Sequence, residues 1–215
     1  MSEAVRPELA ALRIADSPER WADLGFTVDG ELLALGGVLV RLGGEGKGIT
    51  AWSVRNIGAV EAIDGLAPMP AAHGPRVDPG THANGAIGLD HVVVVTPDFD
   101  RTAAALERAG IPLRRVRSVG GEGSGGSAGF RQGFRRLGPA ILELVEAKGA
   151  PAGPAAFWGL VVIVEDLEAL AARLGEQLSA PKPAVQPGRR IASLRASAGL
   201  SPRVAFMDPD PSPAA

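Results

Sequence analysis

The sequence predicts an α+β fold: paired strand-helix-strand-strand-strand (βαβββ) modules, with a degenerate extra module at the N-terminus. Three observations predict it. From Asp90 the chain reads as an apolar strand, a "TPD" turn, an amphipathic helix and three short alternating segments. The same order recurs from Phe157, and "DHVVVVTPDFD" lies over "WGLVVIVEDLE" without a gap, so that Asp98 falls on Asp166. A third, shorter copy begins near Leu9. Repetition of one supersecondary unit marks an architecture in which each copy contributes to a shared core.

The elements follow in chain order. In the segment 1–60, "LAALRI" reads as a strand, Asp16 as the cap of a short helix at "SPERW", "LALGGVLVRL" as a hairpin and "GITAWSVRNI" as a further strand. A half-module cannot bury its own apolar face, so this unit is expected to pack on the main sheets or to take part in a homodimer. Residues 61–86 lack periodicity and read as a connector. The span 87–208 holds the two full modules. Its first opens with the strand at His91 to Thr96 and continues into a helix capped by Asp98 and ended by Gly110. "IPLRRVRSV", "FRQGFRRLG" and "AILELVEA" follow, the last two as a hairpin closed by "GP". Its second has "FWGLVVIVED", the helix "LEALAARLGEQL", an edge segment at "APKPAVQP", then "RRIASLRAS" and "SPRVAFMDP". The tail 209–215, rich in Pro and Asp, is expected to be disordered.

Composition narrows the function. A net charge of −2 with arginines dispersed among acids argues against a nucleic-acid surface. No apolar run approaches the roughly 18 to 20 residues that span a bilayer, and no signal pattern opens the chain, so no membrane partner and a cytoplasmic location are expected. Cysteine is absent, which removes thiolate ligands, thiol catalysis and disulfides together. "GGEGSGG" contains a GxGxxG match from Gly121 to Gly126, but a strand follows it rather than a helix, so it reads as a hairpin loop. "GGEGKG" fails as a phosphate loop because Arg41 stands at the first glycine position and no Ser or Thr follows Lys47.

The tandem units, the "DHVVVV" first strand and the "ILELVE" last strand resemble the vicinal oxygen chelate superfamily, which includes glyoxalase I, bleomycin-resistance proteins, extradiol dioxygenases and methylmalonyl-CoA epimerase. The segments "NGAIGLDHVV", "FWGLVV", "QPGRRIASLR" and "AGLSPRVAF" also look like a group of actinobacterial glyoxalase-like proteins. The resemblance implies curled mixed sheets around a cleft. In metal-dependent members it implies a divalent ion, zinc, nickel, iron or manganese, held by side chains of the first and last strands. His91 and Glu143 match two of those four places, which makes both candidate metal ligands and Glu143 a candidate catalytic base. Gly159 and Ala205 fall on the other two, and Leu9 and Arg41 hold the corresponding pair in the N-terminal copy.

The residues also speak for themselves. Alternation sets His91, Val93 and Val95 on one strand face. Glu143 sits between leucines on a face shared with Ile141 and Val145; a carboxyl there needs a partner, and Arg131, Arg135 and Arg136 are the cross-hairpin candidates for an ion pair. Phe157, Trp158 and Phe206 are candidate walls for an organic ligand, against simple core packing. Of Arg189 and Arg190, alternation turns only one inward; Arg190 is taken as the candidate that meets a substrate anion. His82 in the connector could fold back toward His91, and His73 is the remaining histidine. Three functions stay open: binding of a small organic molecule without a complete metal site, a metal-dependent lyase, isomerase or dioxygenase, and a non-catalytic scaffold.

Overall fold

The computed structural model describes residues 6–58, 61–70, 81–120 and 129–211. His73, the Gly121 to Gly126 loop and the tail beyond 211 lie outside them. The N-terminal unit comprises β1 (Glu8–Ile14), α1 (Pro18–Asp23), β2 (Leu32–Leu35), β3 (Val38–Leu42) and β4 (Ile49–Arg55). The first full module is β5 (Ala86–Thr96), α2 (Phe99–Arg108), β6 (Arg115–Val119), β7 (Phe130–Leu137) and β8 (Ala140–Glu146). The second is β9 (Ala156–Val164), α3 (Leu167–Leu174), β10 (Lys182–Pro183), β11 (Arg190–Ser193) and β12 (Arg203–Met207).

The two full modules share one eight-stranded mixed sheet in the order β10-β11-β12-β9-β5-β8-β7-β6. Within each, the first strand runs parallel to the last: β5 beside β8, β9 beside β12. They meet where β5 pairs antiparallel with β9, and there His91 faces Val161 while Val93 faces Gly159. Exchanging the modules turns each of these pairs into the other, so the repeat read from the sequence is a pseudo-twofold axis through the sheet centre. The parallel registers agree. Glu143 stands beside Val93 as Ala205 stands beside Val161.

Local chemistry explains the elements. The four-valine run of β5 favours extended backbone and is buried on both faces. Asp98 accepts a hydrogen bond from the Arg101 N–H, and Asp166 accepts from Glu168 and Ala169, so both helices start at an aspartate cap. Helix α3 buries Leu167, Leu170 and Leu174, the spacing of one helical face.

The N-terminal sheet runs β2-β3-β1-β4, with β1 parallel to β3 and antiparallel to β4. β4 flanks β1 as β9 flanks β5, so the unit is a shortened module followed by the first strand of another. Two expectations for it are corrected. Asp16 does not cap α1: its carboxylate accepts from Trp21 Nε1 and the Ser201 N–H, because the helix starts one residue later at Ser17. Register places Arg41 beside Arg13, as Glu143 stands beside Val93. Two residues back from Arg13 is Ala11, so Ala11 rather than Leu9 stands where His91 does; β1 reaches its helix in fewer residues than β5.

Both sheets share a contiguous aliphatic core into which most of the chain's aromatics are inserted. Phe26 lies between Trp21 and Phe206, with ring centroids 5.1 and 6.2 Å away, and Trp52 meets Phe157 edge-on at 5.5 Å. The connector is tied in by His82, whose Nδ1 accepts from the Thr27 N–H at 2.9 Å while Nε2 donates to the Ala34 carbonyl at 2.7 Å.

Candidate functional site

A cavity of about 500 Å³ lies at the centre of the eight-stranded sheet. β5, β8, β9 and β12 form its floor, and His91, Glu143, Gln132, Trp158, Val161 and Ala205 are among its lining residues. Most of the surface is aliphatic. Trp158 is 53% exposed at its rim.

A chain of polar contacts passes through it, with His91, Glu143 and Gln132 on the lining and Asp90, Arg189 and Arg117 beyond it. Asp90 and Arg189, each with a side chain only 7% exposed, pair at 2.6 Å through Asp90 Oδ1. The other Asp90 oxygen, Oδ2, lies 2.6 Å from His91 Nδ1. His91 Nε2 lies 3.3 Å from Glu143 Oε2, both side chains being 13% exposed. Glu143 Oε1 accepts from Gln132 Nε2 at 2.7 Å, and Gln132 Oε1 accepts from Arg117 Nε at 2.8 Å. Arg117 in turn lies over the Phe134 ring, 5.2 Å from its centroid.

The donors and acceptors fix much of the proton placement. Burial pushes the Asp90 carboxyl up, but its bonds to His91 and Arg189, with their charges, outweigh that and hold it below its usual range. An ionised carboxylate only accepts, so His91 Nδ1 carries a proton directed at Asp90. Arg117 only donates, so the Gln132 amide must turn its NH2 to Glu143. Burial raises the Glu143 carboxyl above its ordinary value, and the charge of Asp90 adds to this, while His91 and Arg117 oppose both. His91 Nε2 and Glu143 Oε2 thus stand 3.3 Å apart on the cavity lining. This pair can donate to or accept from a molecule in the cavity.

The structure thus brings His91 and Glu143 together. None of the three arginines considered for Glu143 pairs with it: Arg131 is taken by Glu146 and Asp100, and no ion pair forms on Arg135 or Arg136 among the described residues. Of the four candidate binding residues, Trp158 lines the cavity. Phe157 packs against Trp52, and Phe206 is fully buried behind the sheet against Phe26. Arg190 binds Asp208 and Glu168 outside the cavity; Arg189, one residue earlier, is the buried one, paired with Asp90, and does not line the cavity either. His82 is committed to Thr27 and Ala34 and does not join His91.

Sequence reasoning missed Asp90 and Gln132, and of Arg189 and Arg190 it chose the one that pairs with Asp208 at the surface. For Asp90 the reason is geometric. Neighbours in a regular strand point to opposite faces, yet the β5–β9 register slips between Leu89 and His91, leaving Asp90 as an unpaired bulge residue able to reach its neighbour's ring. No glycine or proline marks that slip.

These residues do not fit a divalent ion. A closed or open catalytic shell takes at least three protein donors. Gly159 and Ala205 supply none at the twofold-related places, and Asp90 is engaged by Arg189 and His91. Among the described residues no group of three or more His, Cys, Asp or Glu is arranged to hold a metal. Nor could a side chain be restored at Gly159, because a Cβ there would collide with the Arg203 carbonyl oxygen.

Paired βαβββ modules that place a cavity over their shared strands define the vicinal oxygen chelate fold. Solved structures agree. A mutant of 4-hydroxymandelate synthase from Streptomyces coelicolor matches with TM-score 0.62 at 13% identity, covering 96% of this chain and 94% of that one. A xylose isomerase-like TIM barrel/4-hydroxyphenylpyruvate dioxygenase fusion protein matches with TM-score 0.64 at 12% identity, covering 99% of this chain and 50% of that one. Methylmalonyl-CoA epimerase from Mycobacterium tuberculosis matches at 19% identity and TM-score 0.46, over 61% of this chain and 94% of that one. These neighbours belong to the vicinal oxygen chelate, or glyoxalase-like, superfamily, and the first two show that the chain has its fold. No family model matches the sequence, and no curated protein does. Among the described residues no helix is long and apolar enough to cross a membrane.

Proposed function

We propose that the cavity binds a small organic molecule, its apolar body against Val161, Leu160 and Trp158 and its polar end on the His91–Glu143 pair. The observation that carries this reading is a mostly apolar cavity of about 500 Å³ with convergent polar groups at one end, the usual make-up of a small-molecule site. A hydroxyl or carbonyl suits that end, since His91, Glu143 and the Gln132 amide together offer both a donor and an acceptor. The absence of cysteine is compatible with a cytoplasmic setting. The polar end is complete within one chain, so a homodimer would add to this site rather than build it.

Thermal unfolding with a panel of aromatic ketones and phenols tests the reading. At least one should raise the melting temperature of the wild type and none that of Ala205→Phe, which fills the cavity. No shift with any compound counts against it.

A second reading is favoured by one observation, the Asp90–His91 hydrogen bond that orients the imidazole toward Glu143. In it, Glu143 is catalytic and exchanges a proton with a bound carbonyl compound, helped by its raised pKa. Deuterium incorporation next to the carbonyl of a bound ketone, in heavy water, should occur with the wild type and fail with Glu143→Gln. Equal incorporation by both proteins would remove this reading and leave binding alone.

A further inference from the structure

A second cleft, of about 1310 Å³, lies where the N-terminal sheet meets the outer edge of the first module. It is distinct in lining from the central cavity. Arg6 before β1, Arg114 before β6, and Arg135 and Arg136 on β7 are among its lining residues. Two features set them there. Asn56, in the left-handed region at φ 63°, donates its side-chain N–H to the Arg6 carbonyl at 2.9 Å, which ties the chain entering β1 to the end of β4. Gly110, at φ 85°, ends α2 and turns the chain toward Arg114.

Elsewhere Arg101 pairs with Asp64, Arg131 with Asp100 and Glu146, Arg189 with Asp90, and Arg190 with Asp208. Among the described residues none of the four cleft arginines forms an ion pair. Two carboxylates also line the cleft, but Glu8 lies 3.1 Å from Arg55, which leaves Glu107 as the other acid beside the cluster of Arg6, Arg114 and Arg135. Arg135 Nε is buried without a hydrogen-bond partner. A buried charged donor left unsatisfied is costly, and like charges drawn together in a protein of net charge −2 add to that cost. Burial, then the charges of Arg114 and Arg6, lower the Arg135 pKa, in keeping with mutual repulsion.

We propose that this cleft is a binding site for a polyvalent oxyanion, a small molecule that carries phosphate or several carboxylates. Guanidinium groups bind such oxygens through paired N–H donors, and an anion would give Arg135 Nε its partner while relieving the repulsion. One charge would not balance Arg6, Arg114 and Arg135, and the cleft has room for an organic portion beside the anionic one.

Isothermal titration at low salt, with inorganic pyrophosphate in one arm and citrate in the other, tests the proposal on the full chain. At least one anion should bind one-to-one, weaken as salt is raised, and bind Arg114→Gln/Arg135→Gln at least tenfold more weakly. Ala205→Phe, which alters only the central cavity, should bind it like the wild type. Pyrophosphate alone assigns the site to a phosphate-bearing ligand, and citrate alone to a polycarboxylate. Without anion, the double variant should melt no lower than the wild type, since a repulsion has been removed. If it does not fold, Arg114→Gln alone carries the same comparison. No binding of either anion up to about 10 mM, weaker than any useful affinity, or equal affinity of wild type and variant, overturns the proposal.

Discussion

Asp90 is the residue on which the site turns. It accepts from Arg189 and His91 at once, in a setting where both it and Arg189 are out of water. Breaking such a pair from one side leaves an uncompensated buried charge. Arg189→Met should therefore cost about 3 to 5 kcal/mol in urea unfolding, and adding Asp90→Asn should recover part of the loss. Glu143 gives a pH dependence of known sign. A carboxyl raised on folding favours the folded state below its unfolded value, and that contribution fades as the pH rises through the folded value. Glu143→Gln should thus gain stability over the wild type as pH rises from weakly acidic to neutral, with the gap closing on acidification; a gap that widens toward acid would contradict the assignment. Asp90, lowered on folding, works the other way, and its contribution is lost only as the pH falls through its folded value. At this scale the sequence was only half legible. His91 and Glu143 stood out because each is a polar group in an apolar strand. Asp90 did not, because a bulge decides where it points, and Arg189 could not be told from Arg190, because the start of β11 decides which of the two is buried.

At the scale of elements, most of the architecture could be read directly. The aspartate caps of α2 and α3, the valine run of β5 and the glycine turn between β7 and β8 each carry a local signal, and each element forms where that signal lies. The N-terminal unit was harder because its β1 reaches the helix in fewer residues, so that the strand register moves by two residues and the cap by one. Gly159 acquires a meaning that the sequence alone could not supply. It marks a close approach of β9 to β12, since a Cβ there would meet the Arg203 backbone. Gly159→Ala should destabilise the chain by roughly 1 to 3 kcal/mol through overpacking, read from the denaturant midpoint. Unchanged stability would show that the strands separate freely at that point.

At the scale of the whole molecule, the N-terminal sheet is part of the same core as the paired modules, with Phe26 set between Trp21 and Phe206. Phe26→Ala should lower stability by about 3 to 5 kcal/mol. Circular dichroism and tryptophan emission should still report one coincident transition, whereas two separated transitions would show that the sheets unfold independently. The long-range order of strands is also what joins His91 on β5 to Glu143 on β8, more than fifty positions away in the chain, and what leaves the opposite half of the cavity to Gly159 and Ala205. That the central cavity receives a small organic molecule is the central claim, and Trp158 reports on it directly, because Trp21 and Trp52 are buried while Trp158 stands at the rim. The measurement is energy transfer from tryptophan to anilinonaphthalene sulfonate, compared among the wild type, Trp158→Phe and Ala205→Phe. We expect saturable transfer at one site in the wild type, sharply reduced when Trp158 is replaced and absent when the cavity is filled. Transfer that is equal in all three proteins would place the probe elsewhere and contradict the account.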